Sequence, residues 1–186
     1  MPNFTENAIK QSFMKLLEER PYSEITVKEI VQDCGINRNS FYYHFQDKPA
    51  LLEIIIKESL DQIIEEYPSI SSLEECLMAA VRFAETYKRS ILHIYRSVDR
   101  DIFERYLWQI CEYGVMQYGE TVLSGRKIKA EDKAVLLQYY VCECFGQVMF
   151  WMESGMKDDI VKSYHRICEL EQGKLEEILR RCEEEE

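Results

Sequence analysis

Three consecutive residues, Arg38, Asn39 and Ser40, carry side chains suited to the edges of base pairs. A guanidinium can bond guanine O6 and N7 in parallel, and a carboxamide can do the same for adenine N6 and N7. Ser40 can bond a base edge or a phosphate. Tyr43, His44 and Lys48 follow within reach of a phosphate backbone. Thr26 could hold another phosphate through its hydroxyl or the helix start behind it. Tyr42 can pack against the backbone or a thymine methyl. Asn37 stands just before the group as a plausible helix cap.

These residues need two short helices at a fixed angle, and the surrounding sequence provides for them. Thr26-x-x-Glu29 is a capping box, in which hydroxyl and carboxylate satisfy free amides at a helix start. Val27, Ile30, Val31 and Cys34 then recur at helical spacing. Gly35 supplies a turn with positive φ, and Asn37 caps a helix over 38–45. At about 100° per residue, Phe41 and Phe45 point together into a small core. Tyr43, Asn39 and Ser40 lie opposite, with His44 further round. Arg38 leans towards the core side by angle, but it is long and sits in the first turn.

The run ITVKEIVQDCGINRNSFYYHFQDKPALL, within residues 5–52, resembles the N-terminal domain of the TetR/AcrR family of bacterial transcription regulators. The likeness covers about a quarter of the chain, and MFWMESGMKDD near Gly155 resembles the end of the eighth helix in some members. Gln46 departs from the pattern, since many members carry Lys there. The resemblance implies a homodimer whose third helices enter major grooves of a double-stranded DNA operator. It also implies a four-helix interface from the last two helices, a pocket for a small-molecule effector in the middle helices, and spacing between the readers that responds to the effector.

The remaining chain reads as all-α. A first helix spans about 5–19 with Ile9, Phe13, Leu16 and Leu17 on one stripe, and Asp47 caps a long fourth helix. The segment 68–72 is the clearest linker, with Ser72-x-x-Glu75 as a second capping box. Helices follow to about Lys88, near 90–96, over 99–123 and over 131–153, and one amphipathic pattern runs from Asp158 to Cys182, which Gly173 could break or bend. That makes about nine helices, divided into a helix-turn-helix DNA-binding domain over 1–48 and a ligand-binding and dimerisation domain over 49–186. The helix over 131–153 is apolar nearly all round, so it should bury more than one face. The tail 183–186 reads as a solvated, frayed acidic end.

The segment 87–118 is dense in aromatic groups that could orient a small molecule. Its candidate ligand contacts are His93, Tyr95, Phe103, Tyr106 and Cys111, with Tyr139 and Tyr140 from the next long helix. Plain core is the bland alternative for such a stripe. Phe145, Met149, Phe150, Trp151, Tyr164 and Ile167 are the candidates for a dimer seam, where large apolar anchors concentrate. Glu143, a charge amid apolar residues, could select a cation, pair across a dimer or face solvent.

The net charge of −11 weighs against strong non-specific DNA binding. Its distribution softens the objection: residues 1–50 hold six Lys/Arg against seven Asp/Glu, and the rest carries most of the excess. Seven scattered cysteines and three histidines show no metal-ligand spacing and no CxxC, so free thiols in a cytoplasmic protein without cofactors are the simplest reading. The most apolar stretch, 134–152, contains Glu143 near its centre and reads as a buried helix rather than a membrane span. There is no nucleophile–base pair and no phosphate loop, which argues against an enzyme. An interaction protein of the same fold, a co-activator or co-repressor without its own operator, is the alternative to a ligand-responsive regulator, itself read as a repressor.

Overall fold

The computed structural model describes residues 4–157 and 159–183, without the Ile70 side chain. Ten α-helices account for them: α1 Phe4–Glu19, α2 Val27–Asp33, α3 Arg38–His44, α4 Lys48–Glu66, α5 Leu73–Thr86, α6 Lys88–Ser97, α7 Arg100–Leu123, α8 Ala130–Glu153, α9 Ile160–Leu170 and α10 Lys174–Cys182. The tenth arises because Gly173, at φ 78°, ends the last amphipathic pattern outright and starts α10. Gly155, at φ 71°, closes α8, where Met156 N–H donates back to Trp151 O. A 3-10 turn over Ile70–Ser72 precedes α5, and there the Ser72 N–H and hydroxyl both donate to Ser69 O. Glu184–Glu186, most of the acidic tail, lie outside the described residues.

The helices sort into two compact units, and the division does not fall at residue 48. The first unit joins 1–58 to 86–106, so α6 and the start of α7 belong with the N-terminal helices. Its core is Ile9, Phe13, Leu17, Ile25, Ile30, Phe41, Phe45 and Leu51, each at most 2% exposed. Ser12 bonds Ile30 O inside it, so a buried hydroxyl is satisfied rather than left at a cost of about 1–3 kcal/mol. α6 adds His93, whose Nδ1 lies 2.7 Å from Leu17 O, and Ser90, which donates to Glu18. Leu17 O can only accept, so His93 Nδ1 carries the proton.

The second unit joins 59–85 to 107–186. Within it α7 and α8 run antiparallel: Trp108 stacks edge-on with Phe145 at 5.5 Å, Gly119 meets Leu137, and Glu120 pairs with Lys133. α8 buries Leu137, Val141, Met149, Trp151 and Met152. Arg126 pairs with Glu176 and Glu183, tying the α7–α8 loop to α10. Gly119 leaves room for the Leu137 side chain: a Cβ there would stand 2.5 Å from Leu137 Cδ2. Gly119→Val is therefore expected to overpack the contact and cost about 1–3 kcal/mol in urea unfolding. Wild-type stability in that variant would mean that Leu137 moves aside freely.

Candidate nucleic-acid interface

The interface is built on two caps. Thr26 accepts from Glu29 N at 3.3 Å and donates its hydroxyl to Glu29 Oε2 at 2.7 Å, while Glu29 accepts from Thr26 N, completing the capping box. Arg20 adds an ion pair to the same carboxylate. Asn37 Oδ1 accepts from Ser40 N and from the Ser40 hydroxyl, setting the start of α3. Gly35 at φ 70° makes the turn between α2 and α3. Phe41 and Phe45 anchor α3 in the core, with their rings 5.7 Å apart.

That anchoring turns the opposite face of α3 outward. Arg38 and Asn39 are exposed, Tyr42 is half exposed and Tyr43 is 84% exposed. The other candidates are engaged within the unit. The Thr26 hydroxyl, Asn37 Oδ1 and the Ser40 hydroxyl serve the caps. The His44 side chain is 11% exposed and faces Glu6 at 3.9 Å. Lys48 departs furthest from the phosphate role: its Nζ donates to Tyr22 O at 2.6 Å and Ile25 O at 2.8 Å and sits 3.8 Å over the Tyr22 ring. Burial pushes this ammonium's pKa down, with Glu29 pulling the other way. The reason is chain geometry, because the two carbonyls close the turn that leads into α2.

Lys48→Met keeps the side-chain length and removes the charged donor. It is expected to lower stability by about 1–2 kcal/mol, the range for a partly desolvated charge-assisted pair of bonds. The salt dependence of any DNA complex should stay unchanged. A shallower slope would restore Lys48 to the phosphate contacts.

The capping box also makes an acid-sensitive element. Hydrogen bonds from the Thr26 side chain and backbone, with the Arg20 guanidinium, hold the Glu29 pKa down to about 2, against 4.5 ordinarily. A carboxyl with a lowered folded pKa stabilises fully above the unfolded value and loses that contribution as pH falls through the folded one. The difference in melting temperature between wild type and Glu29→Gln should be constant above pH 4.5 and shrink towards pH 2. A difference independent of pH over that window would exclude an ionised cap.

One residue missed by the sequence reading is Lys28. It is exposed in the first turn of α2 and, like Arg38, makes no ion pair to another described residue. Its signal was available: the second position of a capped helix projects from the surface that the cap leaves open. Lys10, Lys15 and Arg20 are consumed in ion pairs with Glu6 and Glu58, Asp33, and Glu29.

The seven ligand candidates fall in both units. His93, Tyr95, Phe103 and Tyr106 belong to the first, and Cys111, Tyr139 and Tyr140 to the second. Tyr95 and Phe103 pack edge-on at 5.0 Å, as do Tyr139 and Tyr140 at 5.3 Å. His93 is committed to Leu17 O, and Cys111 is 4% exposed.

The seam candidates divide as well. Trp151 and Met149 are 3% and 9% exposed within one chain. Phe145 lies half-buried against Trp108, and Tyr164 is half-buried among Cys144, Glu143 and Cys111. Phe150 and Ile167 are exposed. The exposed large apolar side chains of these helices are Val135, Tyr139 and Phe150 on α8, which share one helical stripe, and Ile167 and Leu170 on α9. Gly146, which falls between Tyr139 and Phe150 on this stripe, has no neighbour within 4 Å of a built Cβ.

An all-α chain with a capped helix-turn-helix and an outward-facing reading helix defines a DNA-binding transcriptional regulator. Comparison with known proteins agrees. Residues 14–55 match the family described as bacterial regulatory proteins, tetR family, and residues 71–173 match the family described as transcriptional regulator C-terminal region. The chain belongs to the TetR family.

Among relatives, the HTH-type regulator YxbF of Bacillus subtilis is 26% identical over 124 residues, covering 62% of this chain and 32% of its own. The dhaKLM operon transcriptional activator DhaS of Lactococcus lactis is 26% identical over 81 residues, 44% of this chain and 43% of its own. EthR of Mycobacterium tuberculosis is 35% identical over 57 residues, 31% of this chain and 26% of its own. The chain thus spans less than half the length of these relatives in sequence. In fold it resembles the dihydroxyacetone kinase operon activator DhaS, with TM-score 0.65, 19% identity and coverage of 97% and 98% of the two chains. A TetR regulator from Rhodococcus sp. RHA1 follows at TM-score 0.59 and 15% identity, with coverage of 90% and 96%. The family and these relatives are transcriptional regulators, and no enzymatic family is indicated. No helix among the described residues is long and apolar enough to cross a membrane.

Proposed function

We propose that the chain is a cytoplasmic repressor that binds a palindromic operator as a homodimer and answers a small-molecule effector. The outward face of α3 carries the reading. Arg38 and Asn39 read base edges, Tyr42 and Tyr43 contact backbone or thymine methyl groups, and Lys28 joins the phosphate contacts in place of Lys48. Thr26, Asn37 and Ser40 act chiefly by fixing the two helix starts, and His44 by packing.

Dimerisation is supported by the exposed apolar stripe on α8 and α9, which has the character of an interface core. The effector reading rests on the aromatic density of α6 and α7, with Tyr95, Phe103 and Tyr106 as its first candidates in one unit. The 1–48 and 49–186 division is kept in functional form only: reading in the first segment, effector and dimer contacts in the second.

A second reading is favoured by one observation. Of six Lys and Arg in residues 1–50, three are ion-paired and Lys48 is turned inward, which leaves Lys28 and Arg38. So sparse a cationic surface suits an interaction protein, such as a co-activator, that borrows another protein's DNA contact. The likeness to DhaS, an activator by name, points the same way on the sign of regulation. Selection of bound sequences from a random duplex pool at about physiological salt separates the two. A palindromic motif with half-sites one helical turn apart, or a multiple of it, supports the operator reader. No enrichment from folded, dimeric protein, including at lower salt, supports the interaction protein.

A further inference from the structure

The last turn of α8 holds a tryptophan whose ring nitrogen has no partner. Trp151 is 3% exposed, and its Nε1 is, among the described residues, the one buried side-chain nitrogen or oxygen without a hydrogen bond. The chain satisfies its buried hydroxyls elsewhere: Ser12 donates to Ile30 O and Ser90 to Glu18. A buried donor left unpaired is destabilising and uncommon, so this N–H calls for an acceptor from outside the fold.

Its own helix offers it none. The residues one turn back on the same side of α8 are Val148, which is apolar, and Gln147, which is exposed to solvent. Beyond it the helix closes with Gly155 at φ 71° and Met156 at φ 55°, a backbone conformation that residues other than glycine rarely adopt. Met156 N–H and the Ser154 hydroxyl both donate to the Trp151 carbonyl, at 2.9 and 2.8 Å. The main chain of Trp151 is thus held from two sides while its indole is left over. In this kind of helix ending the residue at the Met156 position packs towards the one at the Trp151 position, and Met156 is also 3% exposed. A thioether there is a flexible filler that can repack around an occupant.

The position also limits the occupant. The last turn of a helix carries partial negative charge, which disfavours an anion, and an N–H donor repels a cation. A buried water needs roughly two to four polar partners, and no second buried side-chain polar atom is free among the described residues. What fits is a neutral, largely apolar molecule with an acceptor oxygen. We propose that the Trp151 indole is a binding group for the effector, donating to a carbonyl or ether oxygen of a small uncharged ligand. This inference rests on the effector reading above and adds to it the chemistry of the molecule bound.

The chain has two tryptophans, so the full chain labelled with nitrogen-15 gives two indole N–H resonances, and Trp108→Phe assigns them. The probes are acetophenone, ethylbenzene (nearly the same shape without the oxygen) and benzoate. In the free protein the Trp151 indole proton should lie upfield of hydrogen-bonded indoles and show no cross-relaxation with water. Acetophenone should move it downfield saturably, ethylbenzene should not, and benzoate should not bind. Trp151→Phe should weaken acetophenone binding about three- to tenfold, the range for one neutral hydrogen bond, and leave ethylbenzene unchanged. A bound water on the indole, or an indole proton that acetophenone leaves in place, would overturn the proposal. The wild-type spectra decide this even if Trp151→Phe does not fold. The effector reading is separable: it stands if ethylbenzene or benzoate raises the melting temperature while the indole stays still, and it falls if no small molecule of any charge class does.

Discussion

Phe150→Asp is expected to convert the proposed dimer to a monomer and remove the tight operator binding proposed for it, while leaving the fold intact. Phe150 is 66% exposed on α8, in a stripe with Val135 and Tyr139, and α9 also exposes Ile167 and Leu170. A two-fold interface repeats the residue in both partners, so one substitution would bring two carboxylates into one desolvated patch. A central apolar anchor is worth about 2–4 kcal/mol when truncated, and burying charge adds to that. We expect a dimer dissociation constant weakened by about a hundredfold or more, the equivalent of about 3 kcal/mol. The far-UV circular dichroism should stay that of the wild type, while the melting temperature falls by the stabilisation that dimerisation supplied and loses its dependence on protein concentration.

Operator affinity should then fall by about 10²–10⁴, because two linked half-site contacts become two independent ones. Binding to an isolated half-site should be unaffected. Sedimentation velocity reads the first effect and titration of full and half operators the second. A variant that remains dimeric would move the interface off this stripe.

The reading end of the molecule was legible in sequence because it is local. Thr26 with Glu29, Gly35, Asn37, and Phe41 with Phe45 each fix their neighbours within four residues, and the structure forms those contacts. The fate of Lys48 was not legible, because its partners Tyr22 O and Ile25 O lie more than twenty residues away. Nothing in the spacing says that a long cation will fold back over a turn. The α8 seam shows a second limit. A helix apolar all round has two candidate faces, and periodicity cannot say which one its own chain covers. Trp151 and Met149 turned inward while Phe150 stayed open. Likewise His93 looked like a polar tip in a greasy wall, yet it bonds Leu17 O.

Arg38→Ala should show the largest loss of specificity. Arg38 stands at the first position of α3, exposed, with no ion pair to another described residue, so its fork is available to a guanine without breaking an existing contact. A bidentate arginine–guanine contact is worth about 1–3 kcal/mol of discrimination, and a palindrome uses it twice. The dimer should lose about 2–6 kcal/mol on its own operator, roughly 30-fold to 10⁴-fold, and much less on operators already changed at that base pair. Lys28→Ala is the contrast that gives this result its meaning. As a phosphate contact it should weaken all sequences alike and make the slope of log affinity against log salt shallower by roughly 2 for the dimer. If Arg38→Ala instead lowers affinity uniformly and flattens the salt slope, Arg38 holds phosphate and base reading passes to Asn39. If neither substitution changes binding, α3 is not the reading helix.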